Sequence, residues 1–503
     1  MGKEEIGGKT ESVKELRTGK GEKKRGKIRW IALFPAGVFL YLVIGAIAPF
    51  ARLKEVANPS LYAISREDLA AAGKGDRAML LETATEAWEE RLRLLSQAKE
   101  RIILSTFDIR EDESARDILS VILKKADEGV RVKIFVDGFS GQAHMGRRDL
   151  FRLVAAHPNI EIKWYNPVNL LTPWTSQGRM HDKYLIVDDL AYILGGRNMY
   201  DYFIGDYESD SKSYDREVLV YNPGWARGSE GSSLEQVEAY FEDIWEMDVC
   251  RYYYDDESLA KREDIRAERE RLEERYDELR ERRPDLFEPQ GPGAYDYEAV
   301  TCETDAIRLL SNPTTIYGKE PVVFYQLTEL MKQAKDRVMI HTPYAVCSDY
   351  MYRTLQEVGQ AVPDVRLLIN SVENGDNFVA SSDYLWNKEE LVATGLDLYE
   401  YDGGLSYHAK SVVIDDDISI IGSFNFDMRS TYADTELMLV IQSRKLTEEL
   451  AGNMERIQRD CRKVVSATEY ETPEHIAVEP VPGWKMFLMR AFGLILQPFR
   501  YLA

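Results

Sequence analysis

Cysteine and histidine are scarce in this sequence, with four and six residues among 503. Cys250, Cys302, Cys347 and Cys461 form no C-x-x-C pair and have no histidine at zinc-ligand spacing, which removes the zinc-knuckle and dithiol-redox classes. One disulfide or four unpaired thiols fit the spacing equally well. Proline and glycine are not in excess, at 18 and 33 residues, so no fibrous or low-complexity class applies. Basic charge is also short: 64 Lys and Arg face 86 Asp and Glu, a net of −22. The shortage is uneven, because residues 1–54 hold twelve basic residues and five glutamates and carry +7, leaving −29 on the remainder. A body that acidic repels polyanions and argues against a nucleic-acid partner.

Uncharged runs are few, and the one with consequences is WIALFPAGVFLYLVIGAIAPF, residues 30–50. Its 21 residues are enough to cross a bilayer as a helix. Eight basic residues lie between Lys14 and Arg29, against only Arg52 and Lys54 just beyond the run. The positive-inside bias then places residues 1–29 in the cytoplasm and describes a single-pass cell-membrane protein with an extracytoplasmic body. A cleaved signal peptide is the rival: Ala46 and Ala48 form an A-x-A pattern, but Pro49 would be the first mature residue and the apolar region is long. Residues 484–503 are apolar too, with Lys485, Arg490 and Arg500 interspersed and Pro498 against one continuous helix. They suit a helix at the membrane interface, and a helix docked on the core fits nearly as well.

What is present is a folded composition, 44% hydrophobic and 30% charged, in a chain long enough for two or three structural units. It is also repeated. SQAKERIILSTFDI, residues 96–109, matches KQAKDRVMIHTPYA, residues 332–345, in order and chemistry. Each reads as a helix end feeding a buried strand, followed by a helix and a second strand, VRVKIFVDG and VRLLINS. Alternating strands and helices predict two α/β halves, residues 80–250 and 299–470, packed about a pseudo-twofold axis. Residues 251–298 between them hold a strong helix former with a thin stripe of Ile265, Leu272, Tyr276 and Leu279, ended by Pro284. A solvated helix lying on the body is the first reading, and a partner-binding coiled coil the second.

Each half then carries one motif. His181, Lys183 and Asp188 stand at H-x-K-x4-D, and His408, Lys410 and Asp415 repeat that spacing. Small residues follow, Gly195 and Gly196 or Gly422 and Ser423, and then Asn198 or Asn425, each asparagine 17 residues after its histidine. KYLIVDD and KSVVIDD predict strands, and AYILGG and ISIIGS the returning strands of hairpins. Two histidines and two lysines suit phosphodiester transfer. One imidazole attacks phosphorus, while the other protonates the leaving oxygen and then deprotonates the acceptor. Lysine and asparagine groups hold the phosphoryl oxygens, so no metal or other cofactor is required. Glu217 in YDREVLV and Glu436 in ADTELMLV are candidates to fix the imidazole tautomers. The other histidines, His144, His157, His341 and His475, have no such context, although His341 ends a strand that could approach the site.

The two motifs resemble the paired HKD signatures of the phospholipase D superfamily over about residues 80–470. RMHDK, GGRN, YHAKSVVID and GSFNFDMRS resemble its bacterial cardiolipin synthase branch. The resemblance implies paired α/β sandwiches forming one bilobal catalytic body and a phosphohistidine intermediate. It implies His181 as nucleophile and His408 as general acid and base. Lys183, Lys410, Asn198, Asn425 and Ser423 would bind the phosphoryl group, and Glu217 and Glu436 would orient the imidazoles. There are departures. His181 to Glu217 spans 36 residues against 28 for His408 to Glu436, and Asp434 stands where such synthases commonly have asparagine. One span is present where two are common.

The reading for substrate is a phosphatidyltransferase that joins a phosphatidyl group to phosphatidylglycerol. A phospholipase D-type hydrolase, or a nuclease, would use the same centre with water as acceptor. A non-enzymatic scaffold would be expected to have lost catalytic residues, and none of the paired set is missing. Leu170, Leu171 and Trp174, before His181, are an acyl-facing loop or core residues. The sequence names no protein partner.

Overall fold

The computed structural model describes residues 34–69, 75–209, 211–254, 256–287 and 295–502. Two nine-stranded sheets of matching order organise the described residues. At the centre of the first, Arg101–Thr106, Arg131–Asp137 and Ile160–Tyr165 run parallel. The hairpin Tyr184–Val187/Ala191–Gly195 adds antiparallel to the first of them, followed by Glu217–Tyr221 and Arg77–Leu81. The second sheet repeats this with Arg337–His341, Asp364–Asn370 and Asp397–Tyr401 parallel, then Ser411–Ile414, Ile418–Gly422, Leu437–Gln442 and Ala306–Ser311. The expected α/β halves and their repeat are therefore present as two equivalent sheets.

Both faces of these sheets are covered, which is why the motif strands read as unbroken apolar runs. In the first half Leu185 and Val187 enter an outer core under the helices Ala84–Ser96 and Glu113–Asp127. Tyr184 and Ile186, on the other face, enter a core shared with Val413, Ile421 and Leu439 of the second sheet. The helices Ser233–Trp245 and Arg444–Gln458 contribute to that shared layer. One continuous core thus holds the halves together. Two short parallel pairings stitch them directly: Ser406–Tyr407 with Ser213–Tyr214, and Met180 with Thr435.

The charged helix Glu263–Arg282 lies on the first half, with Ile265, Leu272 and Leu279 buried in its outer core. Arg275 pairs with Asp117 and Glu268 with Arg116, so the thin stripe is spent within the chain. All four cysteines are free and buried.

The run expected to span the membrane is described only from residue 34. Residues 34–47 are helical, Ala48–Phe50 form a 3-10 turn, and Phe50 is buried. No helix among the described residues is long and apolar enough to cross a membrane, so the spanning helix expected over 30–50 is not among the described elements. The basic segment 1–29 lies outside the described residues. Beyond the turn the chain straps onto the second half: Lys54 donates to the Gly318 carbonyl at 2.6 Å, Glu55 pairs with Arg353 and Arg66 with Asp417. The C-terminal helix Gly483–Leu496 packs on Phe378–Val392 through Met489 and Gly493. Its other side leaves Trp484, Phe487, Leu494 and Ile495 exposed, so it is docked and apolar-faced at once.

Candidate active site

Both motif histidines sit at the seam, and each is held by a carboxylate of the opposite half. His181 Nδ1 lies 2.9 Å from Glu436 Oε1, and His408 Nδ1 lies 2.6 Å from Asp215 Oδ2. The short parallel pairings produce this crossing. Met180 faces Thr435, which puts His181 beside Glu436, and Tyr407 faces Tyr214, which puts His408 beside Asp215. Backbone bonds fix both registers: Thr435 N–H donates to the Arg179 carbonyl at 2.9 Å, and His408 N–H to the Tyr214 carbonyl at 2.7 Å.

Glu217 is not the second imidazole partner; Asp215 is. The Glu217 carboxylate is fully buried against Arg91, with bonds of 2.6 and 2.7 Å, and Arg197 Nε is 3.6 Å away. The reason is register. Gly195 pairs with Glu217, whereas the equivalent Gly422 pairs with Met438, so Glu217 corresponds to Met438 and Asp215 to Glu436. A slip of two residues keeps every strand side chain on its face, so hydrophobic patterning is blind to it.

The small-residue turns serve these acids. A Cβ on Gly196 would fall 2.4 Å from Asp215 Oδ1, so glycine there makes room for the carboxylate. At the equivalent position the Ser423 hydroxyl donates to Glu436, and Ser430 donates to it at 2.6 Å. Ser423, expected to bind phosphate, is therefore a carboxylate ligand. Asn425 lines the cavity beside His181 with its Oδ1 unbonded among the described residues, while Asn198 accepts from the Asp108 N–H at 3.3 Å.

Asp188 and Asp415 do not face the histidines. Each lies one strand length beyond its lysine, on the order of 15 Å of extended chain. Asp188 accepts the N–H groups of Lys99, Glu100 and Arg101 at 2.8–2.9 Å. Asp415 accepts those of Lys335, Asp336 and Arg337 at 2.9–3.2 Å. Both aspartates adopt left-handed backbone, φ 49° and 55°. The repeated A-K-acid-R segment and the last letter of each motif are thus one clasp, tying a helix end to the motif strand.

Electrostatics separate the two histidines. Burial, reinforced by Lys183, holds His181 well below its ordinary range, and burial with Lys410 lowers His408. Burial pushes Glu436 up to about 8 against the pull of Lys183. Burial acts on Asp215 too, but Lys410 and His408 outweigh it and bring the carboxyl to about 2. Burial lowers Lys183 to about 7 and Lys410 to about 8. The ammonium of Lys410 is 2.7 Å from His408 Nδ1, and each lysine also donates to its own histidine's carbonyl. His341 is buried with Nδ1 2.8 Å from the Tyr407 hydroxyl, behind His408.

His181 opens on a cavity of about 480 Å³ lined by Phe107, Phe139, Val168, Arg179, Tyr344 and Arg429, among others. A larger groove, about 650 Å³, runs past Arg101, Arg131 and Glu238 and contains none of the motif residues. Leu170 and Leu171, between the lining residues Val168 and Ser176 in sequence, stand 67% and 79% exposed, so they are not core residues. Tyr41 of the helix 34–47 donates to the Leu171 carbonyl at 2.8 Å and meets Trp174 edge-on.

Residues 92–245 and 327–458 match the family described as cardiolipin synthase, PLD-like domain. The chain is 27% identical over 416 residues to cardiolipin synthase C of Escherichia coli, covering 73% of this chain and 82% of that protein. It is 25% identical over 360 residues to a cardiolipin synthase of Alkalihalophilus pseudofirmus, covering 71% and 61%. Among solved structures, the phosphatidylserine synthase of Haemophilus influenzae superposes with a TM-score of 0.61 at 16% identity, over 87% of this chain and 98% of that one, a likeness of fold.

Proposed function

This chain belongs to the cardiolipin synthase family of phospholipase D-like proteins, and from that premise we propose a membrane-anchored phosphatidyltransferase that builds cardiolipin from phosphatidylglycerol. The observation that carries the reading is the crossed pair of histidine–carboxylate dyads. Glu436 engages Nδ1 of His181 and Asp215 engages Nδ1 of His408, so we take Nε2 as the reacting nitrogen of each ring; that of His408 lies 3.1 Å from the Lys410 ammonium. His181 attacks the phosphorus of one phosphatidylglycerol as the bond to its glycerol oxygen breaks, and His408 delivers a proton to that oxygen. His408 then removes a proton from the free hydroxyl of a second phosphatidylglycerol, whose oxygen displaces His181 from phosphorus. Lys183, Lys410, Asn198 and Asn425 hold the non-bridging oxygens as charge develops.

A lipid substrate is supported by the surroundings of the cavity. The segments 30–50, 167–178 and 484–503 contain no acidic residue, although the last two belong to a body of net charge −29. All three present exposed apolar side chains. Purified full-length protein in phosphatidylglycerol vesicles is expected to yield cardiolipin and free glycerol, resolved by mass spectrometry. Phosphatidic acid as the sole product would replace the transferase with a hydrolase.

The run 30–50 is proposed as the anchor, with residues 1–29 cytoplasmic and the body outside. Protease added to intact cells should then digest the body and spare an N-terminal epitope. A protected body reverses the orientation.

A further inference from the structure

Behind His181 lies a buried lysine that the chemistry above leaves unused. Lys319 belongs to residues 312–321, between Ala306–Ser311 and Val322–Met331. The equivalent link in the first half, between Arg77–Leu81 and Ala84–Ser96, has two residues in place of ten. The longer loop is wedged under the first-half histidine: a Cβ on Gly178 would fall 2.3 Å from the Ile316 carbonyl oxygen, and Lys319 N–H donates to the Tyr432 carbonyl at 2.8 Å. Lys319 is 1% exposed, and its ammonium makes no hydrogen bond among the described residues. Its charged neighbours are the carboxyls of Asp434, Asp182 and Glu436.

Asp182 is the residue between His181 and Lys183, and it is fully buried. Its Oδ2 accepts from the Tyr240 hydroxyl at 2.7 Å and from the Thr435 hydroxyl at 2.9 Å, while Oδ1 has no partner among the described residues. Thr435 in turn accepts the His181 N–H at 3.2 Å. Lys319, Asp182 and Thr435 therefore form a polar backing to the His181–Glu436 dyad. In the second half Ala409 occupies the position of Asp182.

We propose that Lys319 is a positioning residue of this site: its buried, unbonded ammonium favours negative charge on the carboxyls behind His181, the half-bonded Asp182 foremost. An isolated ammonium away from water is costly, and three surrounding carboxyls are what retain it. Burial lowers Lys319 to about 8 and raises Asp182 to about 7, each against the pull of the other's charge. Other groups facing the cluster are Lys183, His181 and Lys410 on the motif segments, Tyr240 from the helix Ser233–Trp245, and Asp427 and Asp434 before and after the helix Met428–Tyr432. Attack by His181 builds positive charge on its ring, and an ionised Glu436 stabilises that charge, so turnover rises as Glu436 ionises. A cation nearby lowers the pH of that rise, and removing it raises the pH.

The test rests on the transferase reading in one arm only. In the first, the pH profile of kcat on phosphatidylglycerol vesicles is recorded for the full-length chain, Lys319→Met, Lys319→Gln and Lys319→Arg. Both neutral variants should move the rising limb upward by roughly one pH unit, and the arginine variant should keep it in place. Using two neutral variants keeps the result readable if one fails to fold. In the second arm, titration infrared spectroscopy without substrate follows the buried carboxylic-acid band, assigned with Asp182→Asn and Glu436→Gln. The band should persist to higher pH in the neutral variants. An unmoved band, or an equal displacement in Lys319→Arg, overturns the assignment whether or not the chain turns over lipid. Absent turnover with a displaced band counts against the transferase reading alone.

Discussion

Asp215→Asn is expected to lower phosphatidyl transfer by roughly 100- to 10,000-fold, whereas Glu217→Gln, two residues on, should leave the chemistry in place and weaken the fold. Asparagine keeps the shape of Asp215 but cannot ionise, and ionisation is what this position supplies. Its carboxyl sits at about 2, beside Lys410 and His408, and is charged across the physiological range. Without that charge, the imidazolium form of His408 loses the partner that favours it, and the ring is free to adopt the other tautomer. Glu217 instead neutralises Arg91 at 2.6 Å deep in the first half. Removing one member of a buried pair costs about 3 kcal/mol. Turnover on vesicles and the midpoint of denaturant unfolding, measured on both variants, separate the two effects. Loss of turnover in Glu217→Gln with full activity in Asp215→Asn would return the role to Glu217.

His181→Ala and His408→Ala should each abolish turnover, by roughly 10,000-fold or more, because the two rings act as one unit. Their intermediates should differ. The dyads are unequal: Glu436, beside His181, ionises near 8, while Asp215, beside His408, is already charged. Burial and Lys183 hold the His181 ring neutral, ready to attack, and a ring facing a permanent anion better holds a proton to donate. Phosphate is therefore expected on His181 in protein quenched during turnover and mapped by mass spectrometry under acid-sparing conditions. Phosphate found on His408 and never on His181 would exchange the roles and leave the mechanism standing. Turnover should also be insensitive to a metal chelator, since the proposed mechanism assigns the phosphoryl oxygens to Lys183 and Lys410.

The repeat, the paired histidines and lysines, and the α/β halves were legible because each is carried by periodicity or identity within the chain. Asp215 was not. Glu217 and Asp215 differ by one strand repeat, and only the pairing of Gly195 with Glu217 against Gly422 with Met438 tells them apart. Sequence order does not say which acid serves which histidine, and the seam places each acid against the histidine of the other half. Asp188 and Asp415 share a motif with reactive residues, and spacing alone does not reveal that their carboxylates turn back to three backbone N–H groups. A count would have found Lys319: the link after the first strand of the second half is eight residues longer than its counterpart, and it carries a lysine.

The strap that follows the helix 34–47 has a consequence for biosynthesis. Lys54 and Arg66 bind partners 264 and 351 residues further along, and both partners belong to the second half. Residues 51–69 therefore leave the ribosome long before any surface exists to receive them, while the whole first half is made and folded in between. During that interval the body hangs from the growing chain by an unpaired tether. Its partners then emerge in order, Gly318 and Arg353 well before Asp415 and Asp417, so the strap is completed within a few residues of His408.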